Sequence, residues 1–95
     1  MQSALDIREA GAWESSQRRY ALVVSRCQSE ECEGIPVYGI RVSDGEELAE
    51  VLDISSDRVS VEKLLIKICC AGVAPDRVIL LELAEDYLEE LHSPI

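Results

Sequence analysis

The spacing of apolar residues changes midway along the chain, from the pattern of β-strands to that of helices. Residues 19–27 (RYALVVSRC) and 35–42 (IPVYGIRV) are rich in residues that suit a half-buried strand. A third strand is predicted over residues 47–54, because Asp44-Gly45 between two apolar runs is typical of a tight hairpin turn. The string ELAEVL within this segment also favours a helix, so strand and helix both stay open for Glu47–Leu52.

Helical spacing begins at Val59 and continues nearly to the end of the chain. The recurring apolar residues are Val61, Leu64, Leu65, Ile68 and Cys69 in a first helix, and Val78, Leu80, Leu81, Leu83, Ala84, Tyr87, Leu88 and Leu91 in a second. Gly72 predicts the end of the first helix, Pro75-Asp76 the start of the second, and Ser93-Pro94 its end.

This order of elements predicts an α+β fold, with a three-stranded antiparallel sheet followed by two helices packed on one face (β-β-β-α-α). Residues 18–92 form a single domain in this interpretation, and 93–95 are its C-terminal end. Residues 1–17 show no sustained period and are predicted to be a flexible N-terminal tail whose removal leaves stability nearly unchanged.

Composition and charge narrow the classes of function. The 95 residues include 19 acidic and nine basic ones, giving a net charge of −10. Nucleic acid and anionic membranes repel such a chain, and Arg18-Arg19 is the only dense basic patch, so we expect no nucleic-acid or membrane partner. The sequence shows neither an apolar run of membrane-spanning length nor a secretory signal, which favours a cytoplasmic location.

The chemistry-bearing residues do not form a recognisable catalytic motif. The single histidine, His92, follows the predicted second helix and suits a capping role, and no phosphate-binding loop or nucleophile elbow is present. The acidic residues of that helix, Glu82, Glu85, Asp86, Glu89 and Glu90, are spaced as one solvated face. We therefore expect no enzymatic activity, no catalytic residues and no cofactor.

Four cysteines raise the possibility of a metal or redox site. Cys27 and Cys32 have the spacing to close a knuckle across the connection between the first two strands. Cys69 and Cys70 are adjacent on a predicted helix and point about 100° apart, so they do not converge easily on one ion. Ordinary thiols are the simpler interpretation, with Cys27 and Cys32 as the candidates for metal binding or redox chemistry.

Three short strings occur in order along the chain: Tyr38-Gly39-Ile40, Asp53-Ile54-Ser55 and Glu85-Asp86-Tyr87-Leu88. With the predicted order of elements, they resemble a family of small uncharacterised proteins from Gram-positive, spore-forming bacteria, which is known only as a domain of unknown function. The resemblance covers about Tyr20 to Leu91. It implies no catalytic residue, cofactor or partner, and the cysteines are not part of its pattern.

Two classes of function therefore remain for a chain whose biological role is unknown. The first is a small non-enzymatic protein-interaction or regulatory accessory domain, which uses a sheet edge or an apolar face to bind a protein partner or a second copy of itself. The alternative is a thiol-based metal-binding or redox module using Cys27 and Cys32.

Overall fold

The computed structural model describes residues 7–15, 17–26 and 34–92, with side chains through residue 90. The elements are β1 (Arg8–Ser15), β2 (Arg18–Arg26), β3 (Pro36–Asp44), β4 (Glu47–Ser55), α1 (Arg58–Ala71) and α2 (Arg77–His92). The strands form one antiparallel sheet in the order β1-β2-β3-β4. The α+β class and the two helices after an antiparallel sheet are confirmed, but the predicted count of three strands is wrong.

The fourth strand comes from residues that the sequence analysis assigned to the tail. β1 is an edge strand that pairs only with β2, so many of its side chains are exposed and its apolar pattern is weak. A bulge between Glu9 and Gly11 shifts the register and interrupts the two-residue period further. Trp13 lies opposite Tyr20 and packs against the core, which ties this strand to the sheet.

The hairpin between β3 and β4 forms as predicted, which makes residues 47–55 a strand. Gly45 has a φ of 63° in the turn, and Asp44 lies opposite Glu47. Ala49 and Val51 are buried on the side of the sheet that faces the helices. Burial of these side chains against the core outweighs the local helix propensity of ELAEVL.

β4 has a bulge where it passes Gly39. Tyr38 lies opposite Ser55 and Ile40 opposite Val51, so three residues of β4 oppose one residue of β3. Asp53, within this bulge, has a φ of 57°. A Cβ on Gly39 would lie 2.3 Å from the Val51 carbonyl oxygen, so only glycine fits beneath the bulged strand.

The core lies between the sheet and the helices. Its buried members are Tyr20, Leu22, Ile40, Val42, Ala49 and Val51 from the sheet, Val61, Leu64, Leu65 and Ile68 from α1, and Leu80, Ala84 and Tyr87 from α2. The Tyr20 hydroxyl donates to the Val73 carbonyl at 3.2 Å, which satisfies its polar end and ties the sheet to the segment after α1.

Both helices begin at an aspartate that accepts hydrogen bonds from backbone N–H groups. Asp57 accepts from Val59 N and from the Ser60 hydroxyl, and Asp76 accepts from the backbone N–H groups of Val78 and Ile79. α1 ends at Gly72, which adopts the left-handed conformation that glycine favours and donates its N–H to the Cys69 carbonyl. The predicted helix boundaries at Gly72 and Asp76 are confirmed.

Ion pairs cross the face of the sheet that points away from the helices. Glu9 pairs with Arg19 and Arg41, and Arg41 also pairs with Glu50 at 2.6 Å. Ala21 and Val23 are almost fully buried on this face, next to these long side chains. The methylene stems of the charged residues therefore shield a small apolar area on the outer face.

Glu9 is expected to make stability depend on pH at acid pH. The hydrogen bond from Arg19, supported by the charge of Arg41, holds the pKa of Glu9 below its ordinary value of 4.5. Its contribution is therefore complete above pH 4.5 and is lost as pH falls through the lower pKa of the folded state. Glu9→Gln should lower the free energy of unfolding at pH 7 by less than about 1 kcal/mol, which a lower melting temperature reports. The difference in melting temperature between this variant and the parent should shrink near pH 3.

Glu46→Gln, an exposed change in the turn between β3 and β4, is the control and should leave the melting temperature unchanged. A difference between Glu9→Gln and the parent that stays constant from pH 7 to pH 3 would show that the ion pairs add no acid sensitivity.

Candidate functional site

A groove separates the two helices on their side of the sheet. α1 packs across the strands, whereas α2 packs mainly on β4 at the sheet edge. The space between them is a groove of about 310 Å³, lined by Leu64, Lys67, Ile68 and Ala71 of α1, Val73, and Leu83, Asp86, Tyr87 and Glu90 of α2.

The floor of the groove is apolar and its rim is charged. Leu64 and Ile68 belong to the core, and Tyr87 is 9% exposed at the side of α2. The Lys67 ammonium lies 5.2 Å from the centroid of the Tyr87 ring, the geometry of a cation–π contact. Asp86 and Glu90 are exposed one helical turn apart, so the α2 side of the rim is acidic.

The groups with shifted pKa values lie outside the groove and have structural causes. The hydrogen bond from Ser60 lowers the pKa of Asp57 at the start of α1, and the charge of Lys63 acts in the same direction. Hydrogen bonds to Asp44 and Glu9 raise the pKa values of Arg18 and Arg19. Capping and ion pairing explain these shifts, so they do not mark a catalytic centre.

The thiol candidates divide between described and undescribed parts of the chain. Cys69 is half-buried and Cys70 is exposed on α1, and both are free thiols. Cys27 and Cys32 lie outside the described residues, so the metal or redox hypothesis for this pair stays a prediction. Within the described ranges, no group of three or more histidine, cysteine or acidic side chains is arranged to hold a metal ion. His92 is the last residue of α2.

Sequence reasoning found part of the apolar floor of the groove but not the groove itself. Leu64, Ile68 and Tyr87 were predicted as core residues on helical stripes, and their burial confirms this. The opening between the helices depends on α2 lying at the β4 edge, which no helical period reveals. The nearest sequence signal is the string Glu85-Asp86-Tyr87-Leu88, since Asp86 and Tyr87 both line the groove.

Neither α1 nor α2 has the length and apolar character that a helix needs to cross a membrane.

Comparisons with known proteins assign the chain to a family. No curated protein and no solved structure matches the chain. The model of a family of unknown function, DUF6514, matches residues 7–90, a span from just before β1 to almost the end of α2. The chain therefore belongs to the DUF6514 family of proteins of unknown function.

Proposed function

We propose that this domain is a non-enzymatic protein-interaction module, whose groove between α1 and α2 binds an apolar side chain from a basic segment of a protein partner. The observation that carries the proposal is the combination of an apolar floor with an acidic rim. At about 310 Å³ the groove lies at the lower end of the range of ligand pockets, which suits an anchoring side chain.

The charge of the chain supports a basic partner. The outer face of α2 carries exposed acidic residues, namely Glu82, Glu85, Asp86, Glu89 and Glu90. Among the described residues that line the adjacent groove, Lys67 is the one basic residue. A net charge of −10 attracts cationic segments and speeds their encounter with the domain. A short helix with apolar residues on one face and lysine or arginine on the other matches both features.

The residues that line the groove also support a binding role over catalysis. Among the described side chains, they include no histidine, serine or cysteine that could act as base or nucleophile. Asp86 and Glu90 are exposed to solvent, whereas acid–base catalysis by carboxylates needs a partly buried cleft. The free thiols of Cys69 and Cys70 suit a reducing compartment, and we include a cytoplasmic location in the proposal.

Titration with a designed peptide tests this proposal. The probe is a 16-residue amphipathic helix built from leucine and lysine, and its counterpart carries glutamate at every lysine position. Amide NMR spectra of the labelled domain should show saturable shifts around Lys67, Leu83 and Tyr87 with the lysine peptide only. The affinity should fall as salt is raised, because part of the attraction is electrostatic.

Two pairs of variants separate the groove from general charge effects. Ala71→Leu places a larger side chain in the groove and should weaken binding about tenfold, since it competes for the space of the anchor. Ala74→Leu, at an exposed position that does not line the groove, is its control. Asp86→Asn with Glu90→Gln should weaken binding more than the same charge change at Glu85 and Glu89.

Several results would overturn the proposal. Equal affinities of Ala71→Leu and Ala74→Leu for the lysine peptide would show that the groove is not the binding site. Equal affinities of the parent for the lysine and glutamate peptides would show that the partner need not be basic. A dimer that forms with rising concentration and is abolished by Ala71→Leu would identify a second copy of the chain as the occupant.

A further inference from the structure

The side chain of Lys67 lies across the groove between the two helices. Lys67 belongs to α1 and Tyr87 to α2, and both residues line the groove. The Lys67 ammonium is 5.2 Å from the centroid of the Tyr87 ring, so this side chain reaches from one wall of the groove to the other. The face of the Tyr87 ring therefore already holds a cation, which the chain itself provides.

The surroundings of Tyr87 on α2 are suited to an ammonium group. Asp86 precedes Tyr87 directly and Glu90 follows it by three residues, close to one helical turn, and both carboxylates line the same groove. The face of an aromatic ring carries partial negative charge, and carboxylates nearby add to its attraction for a cation. One ring with two flanking carboxylates is thus a set of groups that recognises a lysine side chain.

The two partners of the contact differ in how firmly they are held. Tyr87 is 9% exposed and belongs to the core, so its ring has a fixed position. Lys67 is exposed, and its ammonium sits on a flexible four-carbon stem. A cation–π contact at an exposed site is weak. The Lys67 side chain can therefore leave the ring for solvent without any change in the fold.

A cation from a partner cannot share the ring with Lys67. Two ammonium groups on one ring face repel each other, since both are positive and close together. A basic side chain that enters the groove beside Tyr87 must therefore displace Lys67. A lone cation gains little from this exchange, because one cation–π contact replaces another. A segment that also buries an apolar side chain on the groove floor gains more.

From these contacts we infer that the Tyr87 ring, with Asp86 and Glu90 beside it, is a lysine-binding subsite of the groove. Lys67 occupies this subsite in the free chain, and a lysine of the protein partner replaces it in the complex. The inference rests on the proposed function, because it places a basic residue of the partner beside the apolar anchor. Lys67 is then a competitor within the chain that disfavours cationic segments without an anchor.

The contact and its exchange are observable by NMR in the full chain. In the free domain, the protons of the Lys67 carbon next to the ammonium should resonate upfield of those of Lys63, because the Tyr87 ring shields them. Saturation with the leucine–lysine peptide should move the Lys67 resonances to the position of the Lys63 resonances. The glutamate peptide should leave them in place.

A pair of charge-matched variants measures the competition. Lys67→Met removes the ammonium and keeps an unbranched side chain at the groove. Lys63→Met is the control, at an exposed position one turn earlier on α1 and outside the described lining of the groove. Both variants make the domain more acidic by one charge. Lys67→Met should bind the lysine peptide about threefold more tightly than Lys63→Met, because the peptide no longer displaces a cation from the ring.

A third peptide, with glutamine at every lysine position, separates competition between cations from simple obstruction. It should bind Lys67→Met and Lys63→Met with equal affinity. A gain in Lys67→Met as large as that for the lysine peptide would mean that Lys67 only blocks the groove, and would overturn the lysine subsite. Lys67 and Lys63 resonances that coincide in the free chain would overturn it as well.

The affinities also distinguish failure of this inference from failure of the proposed function. Equal affinities of Lys67→Met and Lys63→Met for a lysine peptide that does bind the groove would overturn the subsite alone. Absence of binding in the parent and in both variants would overturn the subsite and the interaction module together. Binding to Lys67→Met without binding to the parent or to Lys63→Met would support both, with Lys67 as a strong competitor.

Discussion

Gly39→Ala is expected to destabilise the domain strongly. The added methyl carbon would lie 2.3 Å from the Val51 carbonyl oxygen and 2.8 Å from the Leu52 Cα. Both are backbone atoms, so a rotamer change cannot relieve the overlap and β4 must move. Movement of β4 displaces the buried side chains of Ala49 and Val51, and we expect a loss of about 3 kcal/mol or more from a total of about 5–15 kcal/mol.

Gly11→Ala is the matched control in the same sheet. A Cβ there would meet only the Trp13 ring, at 3.6 Å, which is an ordinary van der Waals contact. Its effect should stay within about 1 kcal/mol, because alanine restricts the unfolded chain and this offsets any cost of the new contact. Urea unfolding followed by circular dichroism measures both variants, and equal midpoints would disprove the close packing of β4 on Gly39.

Gly39 also shows how far sequence reasoning reached in the sheet. A glycine in the middle of a strand pattern indicates a bulge or a close neighbour, and the structure has both at this position. The sequence did not reveal which segment approaches, because the bulge of β4 around Asp53 is set by pairing across the sheet. The Asp44-Gly45 turn predicted the hairpin correctly, since its signal is local.

The helices were predictable for a similar reason. Their apolar residues recur with the helical period, and their ends are marked by Asp57, Gly72 and Asp76, all within a few residues of the boundary. Such signals act over short distances along the chain. Element type and core-facing stripes therefore followed from the sequence, whereas the separation of α1 from α2 did not.

Arg8, Arg26 and Arg58 line one pocket of the structure. Sequence reasoning did not place these three residues together, because they are distant in the chain. Arg8, Arg26 and Arg58 come from three different elements, and Arg8 belongs to the segment that was predicted to be a tail. The dense basic patch that the sequence did show, Arg18-Arg19, is neutralised by Asp44 and Glu9. Clustering in the sequence and clustering in space therefore point to different arginines.

The sequence prediction and the structure differ most in the contribution that β1 makes to the free energy of unfolding. A flexible tail would be removable with little loss, below about 1 kcal/mol, whereas β1 completes the sheet beside β2. Trp13 and Ala10 both pack against the core, and Glu9 pairs with Arg19 and Arg41. Each of these contacts is lost with the strand.

Deletion of residues 1–16 is therefore expected to lower the free energy of unfolding by about 3 kcal/mol or more, from lost apolar burial and lost strand pairing. It also exposes the edge of β2, a strand whose residues 20–23 are all buried, so the truncated chain should aggregate more readily. Urea unfolding must be followed by circular dichroism, because Trp13 is the only tryptophan and leaves with the deletion.

Trp13→Ala gives the same information in a chain of full length. Its half-buried ring should contribute about 2 kcal/mol, less than a fully buried tryptophan. Glu14→Ala, an exposed change at the next position of β1, should have an effect within about 0.5 kcal/mol. If the deletion and Trp13→Ala both left the unfolding midpoint at the parent value, β1 would contribute nothing to the fold and residues 8–15 would behave as the tail that their sequence pattern indicates. A loss confined to Trp13→Ala and the deletion, with Glu14→Ala unchanged, assigns the stability to packing of the indole ring between β1 and the core.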